Sequence, residues 1–244
     1  MPSRHDGRSP EEIRPYSFTP DFARNATGSV LAVCGRTQVI CAATIQEEVP
    51  RWMKVQGVTG GWITAEYSML PYSTLDRKPR DISKGRLDGR SVEIQRLIGR
   101  SMRAIVDLEK LGPRTLTIDC DVLRADGGTR TTAITGAYVA VCRALRRLQA
   151  EGKLSEKANP IKTQVAAVSV GVVRGEILVD LDYEEDKEAA VDANVVMTSE
   201  GKFVEFQAAG EESVFSPEEM QGMIGGAAQA LRRLFDLQKE AILY

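Results

Sequence analysis

The sequence predicts a mixed α+β protein in which sheets are covered by helices on one side and the same order, hairpins first and a helix after, occurs in both halves. Three observations carry this. Apolar, β-rich runs flank turn-forming pairs at Gly35-Arg36, Arg174-Gly175 and Glu200-Gly201, as hairpins require. Apolar residues recur at helical spacing near 91–109 and 131–149. A polar linker, Lys153 to Pro160, separates pseudo-halves of approximately 14–152 and 161–244 within a single domain of 244 residues.

In order, the polar leader MPSRHDGRSPEEIRP gives way to GSVLAVCGRTQVICAATIQEE, the first hairpin. VPRWMKVQGVTGGWITAEYSMLP is punctuated by glycines, which predicts a strand with an active loop rather than a helix. From Ser91 to Glu109, Ile94, Ile98, Met102 and Ile105 share one side with Leu97 beside them, an amphipathic helix. PRTLTIDCDVL alternates as a strand, and a glycine-rich turn leads into a helix whose face of Ala133, Ala137, Ala140, Ala144 and Leu148 is small enough for close packing on a sheet. In the second half two further hairpins precede a helix that opens at Ser216, with Pro217 at its first position and Glu219 completing a capping-box signature.

Composition narrows the chemistry. A formal charge of −2 and a pI near 5.7 exclude a uniformly cationic binder of nucleic acid, but not a local basic face. Cys34, Cys41, Cys120 and Cys142 lie in or beside apolar runs with no CxxC pair, as reduced buried thiols would. The sole histidine, His5, stands in the leader, which excludes a histidine metal cluster and a Ser/His/Asp triad. Chemistry is left to carboxylates, arginines, lysines, backbone amides and a recruited metal. Neither a spanning segment nor a secretory signal is evident, so no membrane is expected and the cytoplasm is the expected location.

Three features then stand out. In RADGGTRTTAITGA, Gly127, Gly128, Thr129 and Arg130 offer amides, a hydroxyl and a guanidinium just before a helix, which suits either a plain turn with its cap or a phosphate cradle. Between Arg77 and Arg103 there are nine basic residues against three acidic ones. Arg96, Arg100 and Arg103 share a face opposite the apolar one, whereas Arg90, one turn before Ile94, is expected to project toward the apolar side and to need an anionic partner, either a salt bridge or a bound phosphate. Lys78, Arg80, Lys84 and Arg86 lie in a polar segment expected to be a mobile loop suited to a polyanion. In LVDLDYEED, strand alternation puts Asp180 and Asp182 on one side and Asp186 just past the strand end, which suits either a solvated acidic strand end or carboxylates that hold Mg²⁺ and assist proton transfer.

GSVLAVCGRTQVICAAT, PRWMKVQGVTGGWITAEYSMLP, GRSVEIQRLIGRSMRA, IDCDVLRADGGTRTTAITGA and DANVVMTSEGKFVEFQAAGE together resemble the ribonuclease PH family, over roughly Arg14 to Lys239. The resemblance implies the ribosomal protein S5 domain 2-like fold, an RNase PH domain with duplicated βαβα-type halves, assembled as a homo-hexamer, a trimer of dimers. It implies phosphate-dependent 3′-to-5′ trimming of precursor tRNA and other RNA 3′ ends, with inorganic phosphate as co-substrate, Mg²⁺ as cofactor and nucleoside diphosphates as products, reversible to nucleotide addition. By motif, Arg90, Gly128, Thr129 and Arg130 would bind phosphate, and Asp180 and Asp186 would be the catalytic and Mg²⁺-coordinating pair. Arg77 and Arg80 would bind RNA. Tyr72 stands where the family often has arginine, offering a stacking surface instead. The alternatives are a non-catalytic RNA-binding ring subunit and a hydrolytic magnesium nuclease, the latter separated by its monophosphate products.

Overall fold

A computed structural model describes residues 4–155, 157–210 and 213–243; the side chain of Lys84 lies outside the described residues. The first half runs β1 (Tyr16–Pro20), β2 (Gly28–Cys34), β3 (Thr37–Gln46), α1 (Arg51–Gln56), β4 (Trp62–Met69), α2 (Asp81–Lys84), α3 (Gly89–Ile105), α4 (Leu108–Leu111), β5 (Thr115–Arg124) and α5 (Thr129–Ala150). The second runs β6 (Val165–Val173), β7 (Glu176–Val179), α6 (Tyr183–Glu188), β8 (Val191–Thr198), β9 (Phe203–Gly210) and α7 (Pro217–Leu243). The sheets have the orders β1-β2-β3-β5-β4 and β7-β6-β8-β9. Among the described residues only β4 and β5 pair in parallel, so the chain between them must cross over, and α3 supplies the crossover.

Helix α5 is the centre of the molecule. Its predicted face of Ala133, Ala137, Ala140, Ala144 and Leu148 is buried on the first sheet, and the approach is so close that a Cβ on Gly28 would lie 2.3 Å from the Ala144 nitrogen. On its other side the Thr135 hydroxyl accepts from the Ala167 amide (3.0 Å) and donates to the Ala167 carbonyl (3.2 Å). Gln238 of α7 donates to the Thr135 and Val165 carbonyls, each at 3.0 Å. Strand β6 is therefore covered on both faces: Val165 and Ala167 join the α5 core, whereas Ala166, Val168, Val170 and Val172 join a second core with Met223, Leu231 and Leu234 of α7. Two-sided burial explains its unbroken apolar run, where one-sided covering was expected.

The three hairpins fall where expected, and four local expectations are corrected. Residues 51–56 form α1: Met53 buries its side chain, and left-handed Gly57 ends the helix by donating back to the Met53 carbonyl. The 91–109 helix stops at Ile105, because Val106 turns extended to bridge Ile161 and Asp107 caps the separate α4. The basic segment is not wholly irregular, since α2 interrupts it and Lys78 pairs with Asp88 at 3.1 Å. The leader, finally, is part of the fold: Ile13 is buried in the second core, and Arg4, Arg8 and Arg14 are all buried.

Two glycines give opposite stability predictions. Gly28→Ala drives a methyl into the α5 backbone and is expected to cost about 3 kcal/mol, whereas Gly225→Ala fills open space on the exposed face of α7 and should add about 0.5–1 kcal/mol. Urea unfolding of both variants checks the pair of signs.

Candidate active site

The glycine-rich turn closes one end of a cleft of about 620 Å³. Gly127 and Gly128 both adopt the left-handed conformation, with φ of 71° and 63°. Space demands glycine as firmly as the dihedrals do: a Cβ on Gly127 would lie 2.6 Å from the Leu181 carbonyl oxygen, and one on Gly128 3.0 Å from the Arg14 guanidinium. The turn is thus pressed against the second half. Thr37 pins it from below, its hydroxyl donating to the Gly127 carbonyl (2.7 Å) and accepting from the Asp126 amide (2.9 Å). Helix α5 begins at Thr129 with Gly128 as its cap, so its first amides are left to face outward as anion donors.

Arg90, Gly128 and Thr129 line this cleft, but the two arginines of the phosphate reading are placed differently from expectation. Arg90 is exposed at the N-terminus of α3, reaching into the cleft instead of the apolar side, because the helix begins only at Gly89 and its first turn lies beyond the core. Arg130 is not among the residues lining the cleft; its guanidinium donates to Gln207 (3.1 Å) and meets Glu93 (3.5 Å) across the α3–β9 contact. Thr129 accepts at 2.9 Å from the buried Tyr67 hydroxyl.

The acidic segment also departs from strand alternation. Strand β7 ends at Val179, and Asp180 takes a left-handed φ of 56°, a strained position that Asp tolerates better than most residues. Asp180 is 3% exposed and its carboxylate is gripped by Arg14: Oδ1 accepts from Nη2 (2.6 Å), and Oδ2 accepts from Nε (2.9 Å) and the backbone amide (2.7 Å). Burial favours the neutral acid, but the hydrogen bonds and charge of Arg14 outweigh it and hold Asp180 below the ordinary carboxylate range. Asp182 faces neither the cleft nor its expected neighbour; it caps α6 in a capping box with Glu185. The cap carries Asp186, exposed with Tyr183 and Glu184, into the cleft wall.

Several cleft residues were not singled out from sequence. Arg36, noted only as part of a hairpin turn, lines the cleft and forks onto Asp126 (2.8 and 3.1 Å). Arg124 lines it too, with Met69, Leu75 and Asp76. Among the expected RNA-binding residues, Tyr72, Arg77 and Arg80 are exposed, but Arg80 lines a neighbouring groove with Lys78, Asp119 and Asp121. His5 is not isolated in a leader: its Nε2 is 2.6 Å from Asp182, and His5, Asp182 and Glu185 offer ligand atoms within 4.8 Å of one another. Glu185, however, is already taken by Arg4 at 2.5 and 2.6 Å. All four cysteines are free and buried. No helix among the described residues is long and apolar enough to cross a membrane.

A cleft lined by a helix-capping glycine turn, by arginines and by carboxylates is suited to bringing anions together. Residues 12–146 match the model of the 3′ exoribonuclease family, domain 1, and residues 163–230 match domain 2. The chain is 52% identical over 240 residues to Ribonuclease PH of Bacillus subtilis strain 168 and 50% identical to that of Bacillus velezensis, in each case over 98% of this chain and 96% of the relative. The chain belongs to the ribonuclease PH family. Solved structures with the same fold include rice Rrp46 (TM-score 0.79, 21% identity, 98% of this chain and 100% of that one) and an Archaeoglobus fulgidus exosome with RNA bound to the active site (TM-score 0.79, 22% identity, 96% and 92%).

The state of Asp180 makes an acid prediction. Its depressed pKa adds stability above the unfolded value near 3.9, and that stability is lost as pH falls through the lower folded value. Thermal midpoints should therefore drop as pH falls below about 4. Asp180→Asn, which leaves Arg14 buried without its countercharge, should cost about 3–5 kcal/mol at neutral pH and flatten part of that acid dependence.

Proposed function

We propose that the protein is a phosphorolytic 3′-to-5′ exoribonuclease that uses inorganic phosphate to attack the terminal phosphodiester of RNA, releasing nucleoside diphosphates. The observation that carries this reading is that the left-handed Gly127-Gly128 turn, exposed Arg90 and Asp186 line one cleft. Identity of 52% and 50% to two bacterial Ribonuclease PH proteins supports it.

Attack by one anion on another meets repulsion, so the chain must neutralise both and hold them in line. Arg90 and the first amides of α5 bind the attacking phosphate, and the Thr129 hydroxyl, oriented by Tyr67, borders the same site. Arg36 and Arg124 on the rim meet the RNA backbone. Asp186 lines the cleft and would hold a hard divalent cation such as Mg²⁺, whereas Asp180, kept ionised beneath the Gly128 turn, already accepts twice at Oδ2 and once at Oδ1 from Arg14 and would join the cation only through the remaining lone pair of Oδ1. When bound there, the cation stabilises charge developing at the scissile phosphate and the leaving 3′-oxygen. No side-chain nucleophile is needed, since phosphate itself attacks. Arg130 joins the phosphate site only by leaving Glu93 and Gln207.

The substrate we propose is the 3′ end of precursor tRNA, met by Tyr72, Arg77 and Arg80, in a cytoplasmic homo-hexamer. Sedimentation at micromolar concentration should give a hexamer; a fully active monomer on tRNA would count against the assembly. Incubation of a 3′-extended tRNA precursor with Mg²⁺ should yield nucleoside diphosphates only when phosphate is added. Arg90→Ala should lower kcat/KM for phosphate about 100-fold while leaving RNA affinity within about threefold. Monophosphates formed without phosphate would replace this reading with hydrolysis, and binding without product would replace it with a non-catalytic ring subunit.

A further inference from the structure

We propose that Arg14 is a positioning residue that locks the anion-binding turn to the carboxylate loop, so that the spacing between bound phosphate and Asp186 is set by the N-terminal segment. The proposal rests on the phosphorolytic reading above. Arg14 lies between Ile13, buried in the second core, and β1, which belongs to the first sheet, so its backbone is anchored on both sides of the seam. Its guanidinium completes the bridge. Nε and Nη2 hold the two oxygens of Asp180, at 2.9 and 2.6 Å, while Nη1 donates to the Asp126 carbonyl at 2.5 Å, one residue before the glycine pair. A planar fork can make these contacts at once; the single ammonium of lysine cannot.

The loop has little freedom to respond otherwise. Arg8 and Arg4 donate to the Asp180 carbonyl at 3.0 and 2.9 Å, and Arg4 also to the Val179 carbonyl at 2.8 Å, holding Asp180 in its left-handed conformation. The Gly127 turn rests directly on Leu181 and Asp182, and Asp182 starts the helix that presents Asp186. A shift of the turn therefore passes through Arg14 and this packed backbone into α6. Arg14 is not among the residues lining the cleft; it acts through Asp126 and the glycine turn, which are.

Amide hydrogen exchange on the wild-type protein with millimolar inorganic phosphate tests the coupling without any variant. Protection is expected at residues 126–131 and, with the same phosphate dependence, at 8–14 and 180–186. Protection confined to 126–131 overturns the positioning role and leaves the phosphate site standing, whereas no protection anywhere overturns both. Arg14→Lys, which keeps the charge but loses the fork, is expected to melt cooperatively, to lower kcat at least 10-fold and raise KM for phosphate about 10-fold, with RNA affinity unchanged. Both kinetic constants within twofold of wild type in a folded Arg14→Lys would refute the proposal. Should Arg14→Lys fail to fold, the wild-type exchange pattern decides.

Discussion

The seam between the two halves is held by buried charge against buried charge, and the rest of the site depends on it. Asp180 and Glu185 are buried carboxylates, Arg4, Arg8 and Arg14 are buried guanidiniums, and every one of these charges faces another. A guanidinium or carboxylate stranded in such a place would cost several kcal/mol, so each group keeps the others where they are. Apolar packing of β6 on α5 joins the halves as well, but it does not specify direction. Arginine forks do, and they fix the backbone of the acidic loop through its carbonyls as well as its side chains.

Division of labour follows from this arrangement. The first half supplies the groups that accept anions: the glycine turn, the α5 amides, Arg36, Arg90 and Arg124. The second supplies the opposing carboxylate, Asp186, on a short helix whose cap is buried against the first half. Hairpins and helices recur in both halves, yet the glycine turn comes from the first and Asp186 from the second. The repeated topology is architectural, and the chemistry arises where the two copies differ and meet.

Much of the fold was legible because its signals are local. Hairpin turns at Gly35, Gly175 and Gly201 need particular dihedrals, and the alanine face of α5 needs a close neighbour; each requirement is written in adjacent letters. The cleft was legible only in part. Gly128, Thr129, Arg90 and Asp186 sit in recognisable motifs, but the direction of a side chain depends on where its helix begins, which is why Arg90 was expected to project toward the apolar side; a motif likewise does not show that Arg130 pairs with Glu93 and Gln207. Strand alternation misled at 180–182 because a single left-handed residue ends the alternation, and nothing in LVDLDYEED marks which aspartate takes that conformation. Arg14 and Arg36 gave no motif at all. Their partners are 166 and 90 positions away, a distance over which no sequence period speaks.

That long range has a thermodynamic side. The turn, its arginine anchor and the opposing carboxylate are brought together from residues 14, 126 and 180, so no fragment or partly folded chain contains the complete anion site. An anion that binds there recognises the fully assembled chain alone, and by mass action it adds RT ln(1 + [L]/Kd) to the stability of that state, about 1.4 kcal/mol at a free concentration ten times Kd. The site is in this sense a sensor of its own folding: the anion that occupies it also draws the two halves of the equilibrium toward the native side.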